Sequence, residues 1–169
     1  MVEKLTHILE NSGYHVYIDS ENELPQLLLN HKLIIKKNSF HHILAFASLV
    51  ISDSQSLSVE AAMLGVPSVR YNDFAGKISV LEELEHKYKL TFGIPTKQPG
   101  RLYDMVQELI LDDNRVEIFR QRKETMLQDK INPADFFVWF LSTFPESMHT
   151  SQGKIANKEF MANIAEVEI

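Results

Sequence analysis

The sequence predicts an α/β unit in which a parallel sheet is covered by helices on both faces. Short β-branched runs alternate along the chain with helical patterns, the order expected of strands joined by helical crossovers. Glycine and proline stand where such segments should stop, at Gly13, Gly65-Val66-Pro67, Gly93 with Pro95, and Pro99-Gly100. A length of 169 residues, with 44% hydrophobic residues, suits a single core and is too short for two well-formed α/β domains.

In chain order, an amphipathic helix is expected over residues 2–11 and a strand over 15–19. A helix over 24–29, a strand over 32–36 and a helix over 40–46 follow. The clearest strands are 49–52 and 68–71, on either side of a helix over 57–64. A helix over 78–87 leads to a strand at 90–93, and helices over 101–111, 116–129 and 134–144 complete the series. Residues 1–144 thus form one domain. After Pro145 the segment ESMHTSQGKIANKEF loses its apolar period, so residues 145–169 read as a mobile tail or a docking segment.

Composition narrows the function. No apolar run approaches the roughly 20 residues of a membrane helix, and MVEKLTHILE has neither the basic nor the apolar region of a secretory signal, which points to the cytoplasm. The absence of cysteine excludes disulfides, thiolate nucleophiles and sulfur-ligated zinc. A net charge of -6 without a basic stripe argues against nucleic acid. The seven histidines are scattered, and His41-His42 lack a carboxylate at ligand spacing, so no metal and no cofactor is expected.

Chemistry concentrates in LVISDSQSLSVEAAMLGVPSVRYNDFAGK, residues 49–77. A buried strand ends at Asp53, and the polar turn Ser54-Gln55-Ser56 opens a helix. In an open parallel sheet, ligands lie outside the carboxyl ends of the strands, where a helix start offers free N–H groups and a positive dipole end to an anion such as a diphosphate. Ser54 and Ser56 can add hydroxyl donors. Glu60, four residues after Ser56 on the same helical face, can accept two hydrogen bonds from a ribose diol. The same residues also make good helix caps, with Glu60 favoured by the helix dipole alone.

The run Asp53-Ser54-Gln55-Ser56, then Glu60-Ala61-Ala62, Leu64-Gly65-Val66-Pro67 and Arg70-Tyr71-Asn72-Asp73-Phe74-Ala75-Gly76-Lys77, resembles the carboxyl-terminal, Rossmann-like domain of the GT-B superfamily. That superfamily holds UDP-N-acetylglucosamine 2-epimerases and related glycosyltransferases, and the likeness extends in outline over residues 2–144. It implies that Glu60 holds the ribose hydroxyls of UDP or a UDP-sugar, with Ser54, Gln55 and Ser56 facing the diphosphate. His42 would stand near the base, with a surface histidine at a helix start as its other reading, and Arg70 and Lys77 could meet phosphate. A strand-end arginine paired with Asp73 or Glu60 is the other reading of Arg70. The epimerases place Gly-Gly where this chain has Gln55-Ser56, and two side chains there narrow the backbone approach to a phosphate.

In that superfamily the first strand lies centrally and precedes the helix with which this chain opens. No counterpart is found, so the expected sheet lacks a central strand, leaving backbone groups unpaired or forcing the 15–19 and 49–52 strands together. The resemblance therefore implies a nucleotide-sugar-binding half that is inactive alone and works with an amino-terminal GT-B half or in a homo-oligomer. A degenerate, noncatalytic interaction or regulatory domain is the alternative. A response-regulator-like receiver has only Asp53 in its favour. Glu82, Glu83, Glu85 and Lys87 read as one solvated helix face, and Arg115, Arg120, Arg122 and Lys123 as another. The stripe Phe136, Phe137, Trp139, Phe140 and Phe144 either completes the local core or resembles the closing GT-B helix that packs on the other domain.

Overall fold

The computed structural model describes residues 1–151. Its frame is a three-stranded parallel sheet with strands β1 (Val50–Ser52), β2 (Ser68–Tyr71) and β3 (Thr91–Ile94), in the order β1-β2-β3. Helices α1 (Val2–Asn11), α2 (Phe40–Ala45), α3 (Gln55–Leu64), α4 (Ser79–Glu82), α5 (Pro99–Leu111) and α6 (Arg115–Asp129) surround it, and α7 (Pro133–Ser142) and α8 (Glu146–Ser151) follow. The expected pairing of the 49–52 and 68–71 strands is present and parallel. The central strand, however, is β2, because among the described residues β1 has a strand on one side only.

Register sorts the strand side chains into rows. Ile51, Val69 and Phe92 are aligned and pack into the main core, with Leu81, Leu84, Leu90, Leu102, Val106 and Phe119 among its buried members. Val50, Ser68 and Thr91 form the next row. Val50 packs against a smaller cluster of Leu44, Ala61 and Val66, while the Ser68 hydroxyl satisfies its buried polarity by donating to Thr91 Oγ1 at 2.9 Å. Toward the carboxyl end, Ser52, Arg70 and Gly93 share a third row.

Two expected strands are corrected. Residues 15–19 and 32–36 reduce to one isolated parallel bridge, Ile18 to Lys32, outside the three-stranded sheet. None of their described side chains is buried, and Tyr17 and Ile34 are 69% and 86% exposed, so the burial that drives parallel strand formation is missing there. The helix expected at 24–29 is a 3₁₀ helix over Gln26–His31 that starts after Pro25, whose ring fixes the turn.

The segment 78–87 splits into α4 and a π turn over Glu83–Lys87, with the Tyr88 amide donating to Glu83 O. Lys89 then takes a φ of 54°, a left-handed stop reinforced by Arg122, which donates to its carbonyl at 2.9 Å. Helix α3 ends where the sequence placed its stop. Gly65 has a φ of 75°, and its amide and that of Val66 return to Ala62 O and Ala61 O.

The solvated-face readings hold only in part. Arg115 is buried, donating through Nη1 to Leu109 O and through Nη2 to the Tyr14 hydroxyl. Glu85 turns inward, as described below. The aromatic stripe does not complete the local core: no α7 residue is buried and none belongs to either core cluster. Its rings pack on one another instead, Phe136 lying stacked on Phe140 with centroids 5.8 Å apart. The segment expected as a tail begins with helix α8, and residues 152–169 lie outside the described residues. No described helix is long and apolar enough to cross a membrane.

Candidate functional site

The site lies at the carboxyl end of β1, where the chain leaves the sheet and turns into α3. Asp53 is exposed, and the Ser54 amide donates back to Ser52 Oγ at 2.9 Å, which closes the turn. Ser54 is the N-cap of α3, its hydroxyl oxygen accepting from the Leu57 amide at 3.3 Å. The capping reading of Ser54 is thus realised. The helix start still leaves the amides of Gln55 and Ser56 without an intrahelical acceptor. Ser56 Oγ lies 3.2 Å from Ser54 Oγ, so two hydroxyls and two amides gather at the positive end of a ten-residue helix.

Glu60 stands one turn further along α3 and is half-buried. Its Oε2 is 3.1 Å from His41 Nε2, so the packing of α2 on α3 brings His41, itself largely exposed, to the carboxylate in place of its exposed neighbour His42. Sequence reasoning named the neighbouring histidine. Which of two adjacent residues on α2 reaches α3 depends on how the helices cross, a fact present in neither helix alone.

The loops beyond β2 and β3 form the rest of the rim. Asn72 is buried and donates through Nδ2 to Asp53 O at 2.7 Å, while its Oδ1 accepts from the Phe74 amide. This side chain ties the loop after β2 to the turn after β1. Asp73 Oδ1 in turn accepts from the hydroxyl and the amide of Thr96 beyond β3. These hydrogen bonds hold the Asp73 carboxyl below the ordinary aspartate range, with Lys77 and Lys97 adding smaller attractions. The acceptor stays ionised as pH falls toward that lowered pKa, and the clasp is lost only below it. Lys77 itself is exposed on this loop, its ammonium 6.0 Å from the Phe74 ring centroid.

Arg70 does not reach the rim. Its side chain is fully buried, and Nη2 donates to Glu85 Oε2 at 3.1 Å, so the partner is neither Asp73 nor Glu60. Glu85 was read from the sequence as solvated. Its side chain is 18% exposed, and the same oxygen accepts from the Gly93 amide at 2.9 Å. A Cβ on Gly93 would come within 2.9 Å of Arg70 Nη2, 3.0 Å of Ala75 Cβ and 3.1 Å of Glu85 Oε2. Gly93→Ala is expected to cost about 1–3 kcal/mol, because guanidinium, carboxylate and loop must all give way. Urea unfolding would measure that loss as a lower midpoint at unchanged slope.

Of the seven residues singled out by sequence, Ser54, Gln55, Ser56 and Glu60 therefore fall on the opening turns of one helix. His42 is beside the residue that meets Glu60, Arg70 supports the sheet from within, and Lys77 decorates a neighbouring loop. Among the described residues no group of three or more metal-ligating side chains gathers at this or any other place. Comparison with protein-family models, curated proteins and solved structures finds no match. What the site can bind follows from its own groups. These are a cradle of amides and hydroxyls suited to an anion and, one turn away, a carboxylate suited to paired hydroxyls.

Proposed function

We propose that this chain is the nucleotide-sugar-binding half of a GT-B-like protein, with UDP or a UDP-sugar as ligand. The observation that supports it is the placement of Ser54, Gln55, Ser56 and Glu60 together on the first turns of α3, at the carboxyl end of β1. In this reading the diphosphate sits on the Gln55 and Ser56 amides with the two serine hydroxyls. Glu60, oriented by His41, accepts from the ribose diol. Gln55 and Ser56 in place of two glycines do not remove the amides, since both residues are already helical; they set how closely the phosphates approach. Sugar chemistry is assigned to a cleft completed by a second half, either an amino-terminal GT-B domain or another subunit.

Calorimetric titration of UDP and UDP-N-acetylglucosamine tests this. Binding by the wild type should be saturable, and Glu60→Ala should weaken it by about 1–3 kcal/mol, the worth of hydrogen bonds to a charged acceptor. His41→Ala should weaken it less, because the carboxylate remains. A folded sample that gives no heat with either nucleotide favours the second reading, a noncatalytic interaction domain. That reading is supported by the apolar surface of α7 and the residues just after it, where Phe137 and Leu141 on the helix and Phe144 beyond it are 59%, 71% and 56% exposed.

A further inference from the structure

We propose that the cleft between the Lys87–Lys89 loop and α6 binds a small phosphate monoester, holding its phosphoryl group between Lys89 and Arg122. This loop leads into the amino end of β3, away from the site at the carboxyl end of the sheet, so the inference is independent of the nucleotide-sugar reading. Ile118, Arg122 and Thr125 stand at helical spacing on the face of α6 that forms one wall. The space enclosed with the loop is about 350 Å³ and open to solvent, a volume suited to a small molecule.

The charges identify the ligand class. The chain carries 23 acidic against 17 basic side chains, yet of the three cations lining this cleft only Lys87 has a carboxylate partner, Asp129 at 2.8 Å. No described carboxylate comes within ion-pair distance of Lys89 or Arg122. Arg122 donates through Nη1 to Lys89 O, and its other N–H groups meet no acceptor among the described residues. Burial pulls the Arg122 pKa below the usual arginine value, with Asp112 offsetting part of the shift, so this half-buried guanidinium lacks a close counterion. Two uncompensated positive charges match a phosphate monoester, which is largely a dianion at neutral pH. A guanidinium fork beside an ammonium is also the donor set that phosphoryl oxygens select.

The carboxylates bonded to the cleft wall are already engaged, Asp129 by Lys87 and the Tyr88 hydroxyl, Glu117 by Arg120 and Gln121. Asp129 stands beside Lys87, which places the anion toward Lys89. The Thr125 hydroxyl donates to Gln121 O and so has no proton left for the ligand. The organic part of the ester then falls along Ile118, the apolar side chain of this wall.

The probe is phenyl phosphate, titrated into the full chain at neutral pH and followed by ¹⁵N NMR, with benzyl alcohol as the uncharged control. The expected result is saturable shifts centred on the Lys89 and Gln121 amides and the Arg122 Nε–H, with none from benzyl alcohol. Lys89→Gln keeps the backbone carbonyl that Arg122 holds and should weaken binding by about threefold, the worth of one exposed ion pair. Absence of saturable shifts overturns the proposal, as do equal shifts from benzyl alcohol, shifts scattered over other lysines, or an unchanged affinity in Lys89→Gln. Shifts centred on Gln55 and Ser56 overturn it too, since the anion then chooses the start of α3. UDP titrated separately reports on that helix alone, so either reading can fail without the other. The wild-type shift map decides the matter even where the variant does not fold.

Discussion

Replacing Glu85 with alanine is expected to lower the stability of the fold by about 3–5 kcal/mol, the cost of leaving a buried charge without its partner. In a protein of this size that corresponds to a melting temperature lower by roughly 6–20 °C. The reason lies in the central strand. Arg70 is 0% exposed, and Nη2 meets the Glu85 carboxylate, while its Nε and Nη1 are buried without a hydrogen-bond partner among the described residues. Alanine at position 85 would strand the guanidinium and also strip the Gly93 amide of its acceptor.

The double variant Arg70→Met with Glu85→Leu separates the two contributions. It removes both charges and keeps most of the volume, so it should lose much less than Glu85→Ala alone. Equal losses in the two variants would mean that packing around position 85, and not the uncompensated charge, sets the cost. Thermal unfolding followed by circular dichroism reads both. Nucleotide titration of the double variant adds a check on the site, because Arg70 has been placed in the interior and its removal should leave UDP affinity close to that of the wild type.

The ion pair also shows where sequence reading stops. The β1–α3–β2 unit was legible because each level agrees: an apolar run, a polar turn with a capping serine, a helix, then Gly65-Val66-Pro67 as a stop. The segments 15–19 and 32–36 carry local strand patterns too, yet a parallel strand is stabilised by burial on both faces, and their described side chains find none. Pattern alone could not report the missing neighbour. Glu85 was misread for a different reason. Among Glu82, Glu83 and Lys87 it looks like one more charge on a wet face, but it lies in the π turn, accepts from the Gly93 amide and meets Arg70 where Gly93 leaves room for both side chains. An arginine within the run SVRY, opposite a glycine on the next strand, was the available signal that a carboxylate would be required inside.

Phe119→Ala should cost a similar amount, about 3–5 kcal/mol, through cavity formation instead of stranded charge. Helix α6 is rich in charge, and Val116 and Leu127 on it are 70% and 44% exposed. Its attachment rests on Phe119 and Met126, 2% and 1% exposed, whose spacing of two turns puts them on one face. The Phe119 ring meets Phe92 of β3 edge-on with centroids 6.4 Å apart, and the Arg122 guanidinium lies 4.8 Å from its own centroid. Truncation therefore empties the space beside β3 and removes the surface on which Arg122 rests while it holds the Lys89 carbonyl. Because Lys89 is the left-handed stop of the π turn, the damage should spread toward Glu85. Hydrogen exchange in Phe119→Ala should then rise in residues 83–90 as well as along α6. Faster exchange confined to α6, with residues 83–90 as protected as in the wild type, would show that the π turn is held by its own packing and not through Phe119.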